Sequence, residues 1–496
     1  MQYSVVQTTE LDKIVFRLDA EYYHPEHLIL QDKLKQFKSI SVLNAGAKLD
    51  CSAFYPSIVP YYNFDAIGVP FLRVNEIQNG LLHLSKDTAF LPQTILDENS
   101  TTIALCKHGD LIIAKGGNSL AKVALLTEEY QYYSVCRDVI ALKTNQLNSI
   151  NRFYLWMFFH SEIGQKILLR TASQTGQPHL TLDAIKQIEI PLFSDVFQNR
   201  FEWLYKESQR LKHESEIVYS ESQNLLLSEL GLTNWQPKHQ LTFIKNYSDT
   251  QEAGRIDAEY YQPKYDEIIK AIKNYSGGWD TLDNLVHIKK CIEVGSRQYL
   301  DEGIPFVRVS NISPFEMTEE KYISEETYKE LTPKEENISF ERSKNHQPQQ
   351  GEILFSKDGT PGIAHYLKEQ PPKMIPSGGI LRLKRKTDKV NNEYLTLVLN
   401  SILTQEQVNH DVGGSIILHW RPDQVKQTVI PILSEAKQLE IQKKVTESFN
   451  LRKQSKHLLE SAKKAVEMAI EQDEQTAILW LKKEMQNVGT SDADGL

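Results

Sequence analysis

The chain has 496 residues, a formal net charge of −9, 40% hydrophobic and 24% charged residues; it is too long for one core and is expected to form two to four ordinary globular domains. No run of 18 apolar residues occurs and the first twenty residues lack a basic-then-apolar layout, so neither a membrane span nor a secretory leader is expected, and a cytoplasmic location is. The scattered Cys51, Cys106, Cys136 and Cys291 form no Cys-x-x-Cys pair, which argues against a disulfide framework or zinc ribbon and for buried, inert thiols.

In chain order, the first distinctive string is Arg17-Leu-Asp-Ala-Glu-Tyr-Tyr-His-Pro25. It reads as a helix start, with Asp19 and Glu21 near the positive helix end and Tyr22-Tyr23 packed on a long helix. Short apolar runs broken by Gly, Pro and Asn follow, including Gly68 to Ile77, Asp110 to Ala114 and Asp138 to Leu142. They predict a mixed, strand-rich domain. An amphipathic helix is expected from Asn151 to Arg170, then an Ile190-Pro191 turn.

From Gln198 to Leu230 there is no Pro or Gly, and Phe197, Leu204, Leu211, Val218 and Leu225 recur every seven residues. This predicts a long heptad helix, with the small residues Ser208, Ser215 and Ser222 beside the apolar seam. About 33 residues span about 50 Å at 1.5 Å per residue, which corresponds to at most ~15 base pairs.

The same series then returns. Arg255-Ile-Asp-Ala-Glu-Tyr-Tyr-Gln-Pro263 repeats the opening string at an offset of 238. Gly303-Ile-Pro-Phe-Val-Arg-Val-Ser310 repeats Gly68-Val-Pro-Phe-Leu-Arg-Val-Asn75 at 235, and Gly351 to Gly359 repeats Gly109 to Gly117 at 242. A second amphipathic helix is expected near Asn392 to Val408, and Ile430-Pro431-Ile432 repeats Ile190-Pro191-Leu192 at 240. The second long helix is expected from Ser434 to about Leu481, with Ser448, Leu451, Ser455, Leu458 and Ala462 on its seam. A tight antiparallel pair of the two long helices would follow, because small residues let backbones approach. The frameworks agree between copies, whereas Leu81 to Leu105 and Ser313 to Gln350 have little in common.

No phosphate loop, dinucleotide fingerprint, His-Glu-x-x-His, nucleophile elbow or Asn-Pro-Pro-Tyr is present, and the 14 histidines show no metal-ligand spacing. Neither catalytic nor metal-binding residues are therefore expected.

The repeated Asp-Ala-Glu-Tyr-Tyr opening, the paired Gly-Asp/Glu strands and the Ile-Pro turn leading into a heptad helix together resemble the specificity subunit of type I restriction-modification systems, over about Arg17 to Lys483. The resemblance implies an α+β fold with a pseudo-two-fold internal repeat. Two tandem target-recognition domains, 1–195 and 232–433, would be joined by long antiparallel coiled-coil helices, 196–231 and 434–485, with a disordered tail, 486–496. It implies a non-catalytic subunit in which each domain reads half of a bipartite, asymmetric double-stranded DNA target. The helices would set the spacer and dock two methyltransferase subunits, which restriction subunits join. S-adenosylmethionine, Mg and ATP would belong to those partners. The alternatives are a specificity subunit of a related defence or type IIB-like modification system, and a coiled-coil adaptor that binds only proteins.

Because the chain is acidic overall, contact with DNA requires local clusters of cations and amides. In the first copy the candidates are Arg73, Asn75, Lys115, Asn118, Lys122, Arg137, Gln174, Gln177 and His179. In the second they are Arg308, Asn311, Lys357, Thr360, Arg382, Ser415 and His419. Arg73 and Arg308 recur in both copies, so a scaffold role competes with phosphate contact for them.

Overall fold

The computed structural model describes residues 4–8, 11, 17–53, 57–173, 178–412 and 417–487. They divide into two compact units, Met1–Leu211 with Lys453–Leu496, and Lys212–Arg452. The division therefore falls inside the long helices, not at their ends, because each half-helix packs with the strand-rich part of its own unit.

In the first unit a six-stranded sheet runs Lys48–Cys51, Val139–Lys143, Leu111–Ala114, Val123–Leu125, Leu81–Leu82, Ile77–Gln78. A four-stranded sheet runs Ala89–Leu91, Val69–Leu72, Tyr132–Val135, Leu105–Lys107. The core includes Phe71, Leu72, Ile112, Ala124, Tyr133, Val135 and Val139. Leu111–Ala114 is buried along its whole length, which its unbroken apolar run dictates. Asp110, just before it, is buried and accepts the N–H groups of Lys107 and Thr144, both at 2.8 Å.

The second unit repeats this plan with fewer strands. Val286–Lys290, Ile380–Arg385, Glu352–Ser356 and Ala364–Tyr366 form one sheet, and Tyr322–Ile323, Ile304–Val307 and Ile375–Pro376 another. Glu352 takes the place of Asp110 but pairs with Arg382 instead, Nε to Oε2 at 2.7 Å and Nη2 to Oε1 at 2.8 Å. Gly68 (φ 109°) and Gly303 (φ 136°) turn into the corresponding strands. A Cβ there would lie 2.3 Å from the Leu91 carbonyl oxygen and 2.6 Å from that of Ile323.

Each expected amphipathic helix is two helices. Arg152–His160 stops at Ser161, whose hydroxyl accepts Gly164 N–H and caps Glu162–Thr171; Asn392–Asn400 stops at Ser401 before Ile402–Asp411. Side-chain capping by Ser161 explains the first break; at the second, Ser401 takes an extended backbone and its hydroxyl donates to Val398 O at 2.7 Å instead. The Asp-Ala-Glu-Tyr-Tyr strings also differ from expectation. The helices start later, at Pro25 and Pro263. Asp19 pairs with Arg17 and accepts Tyr22 N–H at 3.1 Å, and Arg17 holds its carboxyl below the usual range. Tyr22 lies under Arg17 and Arg170, and Tyr260 stacks on His410 under Arg255, so these rings pack on the short helices and not on the long ones.

The long helices are Asp195–Glu229 and Glu435–Glu471. In the first unit Ser455 Oγ donates to Ser208 O at 2.8 Å and lies 3.0 Å from Ser208 Oγ. In the second, Ser448 Oγ donates to Ser215 O at 2.8 Å and lies 3.0 Å from Ser215 Oγ. Within the second unit Glu216 meets Arg452, Glu221 meets Lys444 and Glu229 meets Lys437, a falling series that makes the contact antiparallel. Leu204, Ser208, Leu211, Ser215, Ser222, Ser448, Ser455, Leu458 and Ala462 are buried.

Val218, Leu225 and Leu451 are only half-buried, and Leu226 takes the buried place expected of Leu225. A straight α-helix drifts by about 20° per heptad, so a strict seven-residue count falls short after three heptads and the next residue comes to face the seam. Ser222 is buried but donates to Tyr219 O in its own helix. The second helix breaks at Gln472-Asp473, where Asp473 accepts Thr476 N–H at 2.8 Å and starts Glu474–Asn487. Gln486 and Asn487 are thus helical; the rest of the expected tail, 488–496, lies outside the described residues. Among the described residues no helix is long and apolar enough to cross a membrane. All four cysteines are free; Cys106 and Cys136 are buried as expected, while Cys51, the last residue of Lys48–Cys51, and Cys291, just past Val286–Lys290, are half-exposed.

Candidate nucleic-acid interface

Parallel pairing brings the candidate residues together. Val69–Leu72 runs parallel to Tyr132–Val135, with Val135 opposite Leu72, and Cys136 N–H donates to Leu72 O at 2.9 Å. The chain leaving these strands places Arg73 beside Cys136-Arg137. Lys115 N–H donates to Asp138 O and Lys115 O accepts Leu180 N–H, both at 2.8 Å, while Gly116 bridges His179. Segments 73–76, 115–118, 136–138 and 178–180 therefore converge at one end of the first unit.

The second unit builds the same convergence at matching positions. Ile304–Val307 runs parallel to Ile375–Pro376, and Ser377 N–H donates to Val307 O at 2.8 Å. Lys357 N–H donates to Gly379 O at 2.9 Å, Trp420 N–H donates to Lys357 O at 2.8 Å, and Asp358 pairs with His419. Backbone geometry is thus duplicated where side chains are not.

Arg73 and Arg308 each open a capped turn. Glu76 accepts Arg73 N–H at 2.8 Å and the guanidinium at 3.1 Å, and Arg73 Nη2 also donates to Asp87 O at 2.6 Å. Asn311 Oδ1 accepts Arg308 N–H at 3.0 Å, and Arg308 Nη2 meets Glu320 at 2.5 Å. About a third of either arginine side chain stays exposed, so the scaffold role read from their recurrence is present in both.

Asn75, Asn118, Lys122 and Arg137 are exposed and Lys115 is half-exposed. Lys115, Lys122 and Arg137 have no ion pair among the described residues, which leaves this end of the first unit cationic. His179 presses on Gly116, where a Cβ would lie 2.4 Å from its ring nitrogen; its Nδ1 is buried with no hydrogen-bond partner among the described residues. In the second unit the glycine is replaced by Asp358, which pairs with Lys357 and accepts His419 Nδ1 at 2.9 Å. Glu293 adds a carboxylate that accepts Gly378 N–H at 3.1 Å. One cluster is cationic and the other is internally neutralised. Thr360 is exposed beside it, and its carbonyl accepts Ser356 Oγ at 2.6 Å.

Two candidates are corrected. Arg382 is buried, with a side chain 3% exposed and a bidentate bond to Glu352, so it closes the sheet and does not face a ligand. Asn311 is buried and spends its side chain on Arg308 N–H and Thr318 Oγ1. Gln174, Gln177 and Ser415 lie outside the described residues. Sequence reasoning passed over Glu76, Glu293, Glu320 and Asp358. A Glu or Asn three residues after the repeated Arg was a signal for the cap; Asp358 was visible as the one acidic replacement, at Gly116, within the repeated Gly109 to Gly117 string.

Beneath the second cluster, Lys289 is buried beside the Arg382–Glu352 pair and donates to Asn345 O at 2.6 Å. Burial and then the Arg382 charge bring its pKa down to about 8. No group of His, Cys, Asp and Glu able to hold a metal occurs among the described residues.

Residues 61–194 match the family model of the Type I restriction modification DNA specificity domain. No curated protein matches the sequence. Among solved structures, the S subunit of a type I restriction-modification system from M. genitalium is similar at 12% identity, covering 91% of this chain and 96% of that one with a TM-score of 0.36. The HsdS subunit from Thermoanaerobacter tengcongensis is 13% identical, with 86% and 97% covered and a TM-score of 0.25. A chain from a structure describing assembly and conformational transition of the type I system is 14% identical, with 90% and 97% covered and a TM-score of 0.27.

Proposed function

We propose, from the premise that residues 61–194 are a type I restriction modification DNA specificity domain, that the whole chain is the sequence-specific DNA-recognition subunit of such a system. Each unit reads one part of a bipartite, asymmetric target in double-stranded DNA. The long helices set the spacer and dock two methyltransferase subunits, and restriction subunits join the assembly. The chain itself is non-catalytic; S-adenosylmethionine, Mg and ATP are bound by the partners.

The observation that carries this reading is the duplicated convergence of turns furnished with different side chains. In the first unit Lys115, Lys122 and Arg137 give an excess of positive charge suited to phosphates, with Asn75 and Asn118 able to meet base edges. In the second, Lys357, Thr360 and His419 stand in the corresponding place, with Asp358 tempering the charge. Two sites of one geometry and unlike chemistry are what an asymmetric target requires.

The test is to co-express the chain with its methyltransferase and map methylated adenines in the host genome. A bipartite motif of two unlike halves with a constant spacer is expected. Absence of co-purification together with absence of such a motif refutes the proposal. Inserting four residues beside Ser215 is expected to lengthen the spacer and leave both halves unchanged.

A further inference from the structure

Each unit places a short hairpin directly after its capped arginine turn. In the first, Ile77–Gln78 and Leu81–Leu82 pair around Asn79 and Gly80, both at positive φ (48° and 79°), and His83 N–H returns to Glu76 O at 2.8 Å. In the second, Ile312 bridges Met317 and Thr318 N–H returns to Asn311 O at 2.9 Å. The two hairpins have the same length, and Gly80 and Phe315 occupy the same position, at the offset of 235 shared by their flanking motif.

At that position the anchors come from opposite directions. In the first unit they come from the helix: Trp156 Nε1 donates to Gly80 O at 2.6 Å, and the His160 ring lies 2.8 Å from where a Cβ on residue 80 would be. Trp156 in turn meets Tyr205 of the first long helix edge-on at 5.5 Å. In the second unit the anchor comes from the hairpin. The Phe315 ring lies 4.7 Å from Tyr219 on the first long helix and 5.4 Å from Phe449 on the second, with the Arg452 guanidinium 3.7 Å above its face. Arg452 also faces Glu216 at 3.7 Å, and His365 Nδ1 lies 2.9 Å from Ser313 O. One mechanical link, from long helix to hairpin to arginine turn, is thus built twice from different residues.

We infer that these hairpins are positioning elements for base discrimination, each serving the half-site read by its own unit. This rests on the DNA-reading function proposed above. The hairpin leaves the turn of Arg73 or Arg308 with no intervening residue, so a loosened tip lets that turn, and the loops packed beside it, shift against the DNA. Base readout demands geometry to a fraction of an ångström, whereas attraction to phosphates tolerates movement. Loss of an anchor should therefore degrade selectivity in one half-site before it weakens overall binding.

The experiment selects targets from a random duplex DNA pool with the full chain assembled on its methyltransferase, for wild type, Phe315→Ala, Phe315→Tyr, Arg452→Met and Trp156→Phe. Phe315→Ala is expected to lower discrimination in one half-site by about tenfold, the scale of one lost base contact, while the other half keeps its motif. Trp156→Phe should do the reverse. Phe315→Tyr, which keeps the ring, should restore selectivity, and Arg452→Met should give a smaller loss in the same half as Phe315→Ala. If Phe315→Ala fails to fold, Arg452→Met and Trp156→Phe carry the test. Both motifs retained in folded variants, or both halves degraded equally, overturns the inference and leaves the proposed function standing. A wild-type assembly that selects no motif overturns the function, and the inference with it.

Discussion

The paired serines of the long helices give an asymmetry that can be measured. Ser448 Oγ donates to Ser215 O at 2.8 Å and lies 3.0 Å from Ser215 Oγ. A hydroxyl has one proton, so the Ser448 proton goes to the carbonyl and the Ser215 proton points at Ser448 Oγ. Ser448→Ala removes both bonds. At about 1 kcal/mol net per bond, the cost is about 2 kcal/mol. Ser215→Ala removes the second bond alone and costs about 1 kcal/mol. The double variant loses the same two bonds as Ser448→Ala, so it should also cost about 2 kcal/mol, a coupling of about 1 kcal/mol between the sites. Urea denaturation of the four proteins closes the cycle. Ser455 and Ser208 repeat the arrangement, with Ser455 as the donor to the carbonyl, so Ser455→Ala should likewise exceed Ser208→Ala. Equal single costs, or additive ones, would refute the assigned proton arrangement.

Glu352→Ala leaves Arg382 buried without its partner and should destabilise the second unit by about 3–5 kcal/mol in thermal or urea unfolding, whereas Asp50→Ala, which breaks the exposed Lys143 pair, should cost below about 1 kcal/mol. Lys289 binds its proton less tightly folded, at about 8, than its ordinary 10.5. The unfolded chain therefore holds more protons between those values and stability rises with pH across that window; Lys289→Met should flatten the rise. His160, which burial pushes down to about 4, has the same sign in a lower window: stability present above pH 6.5 is lost as pH falls toward 4, by roughly 3 kcal/mol at most, and His160→Gln should remove that part of the acid sensitivity. Lys122→Ala and Arg137→Ala should weaken DNA binding across all sequences and each reduce the slope of log affinity against log salt by about 1; an unchanged slope would remove these residues from the phosphate contact.

Much of the scaffold is legible in the residues because it depends on local chemistry. The long helices follow from an unbroken run without Pro or Gly, the buried strands from Leu111-Ile-Ile-Ala114 and Ile353-Leu-Phe355, and the serine seam from its seven-residue spacing. Where the reading failed locally, a competing local preference won: Ser161 capped a helix instead of continuing it, and helical drift replaced Leu225 by Leu226. The repeat itself also needed no coordinates, since four motifs returned in order at nearly one offset.

What tertiary structure decided is which polar residues remain available. Arg382 reads as a candidate DNA contact along the sequence, but Phe340 and Asn345 cover it and it pairs with Glu352, 30 residues away in sequence. Asp358 meets His419 only because Asp358–Gly359 pairs with Leu418–His419, a contact across some sixty residues. Phe315 finds Tyr219, Phe449 and Arg452 for the same reason. A side chain's neighbours along the chain determine its element and often its face. Its charge partner and its anchor come from distant strands and helices, and those are set when the core closes.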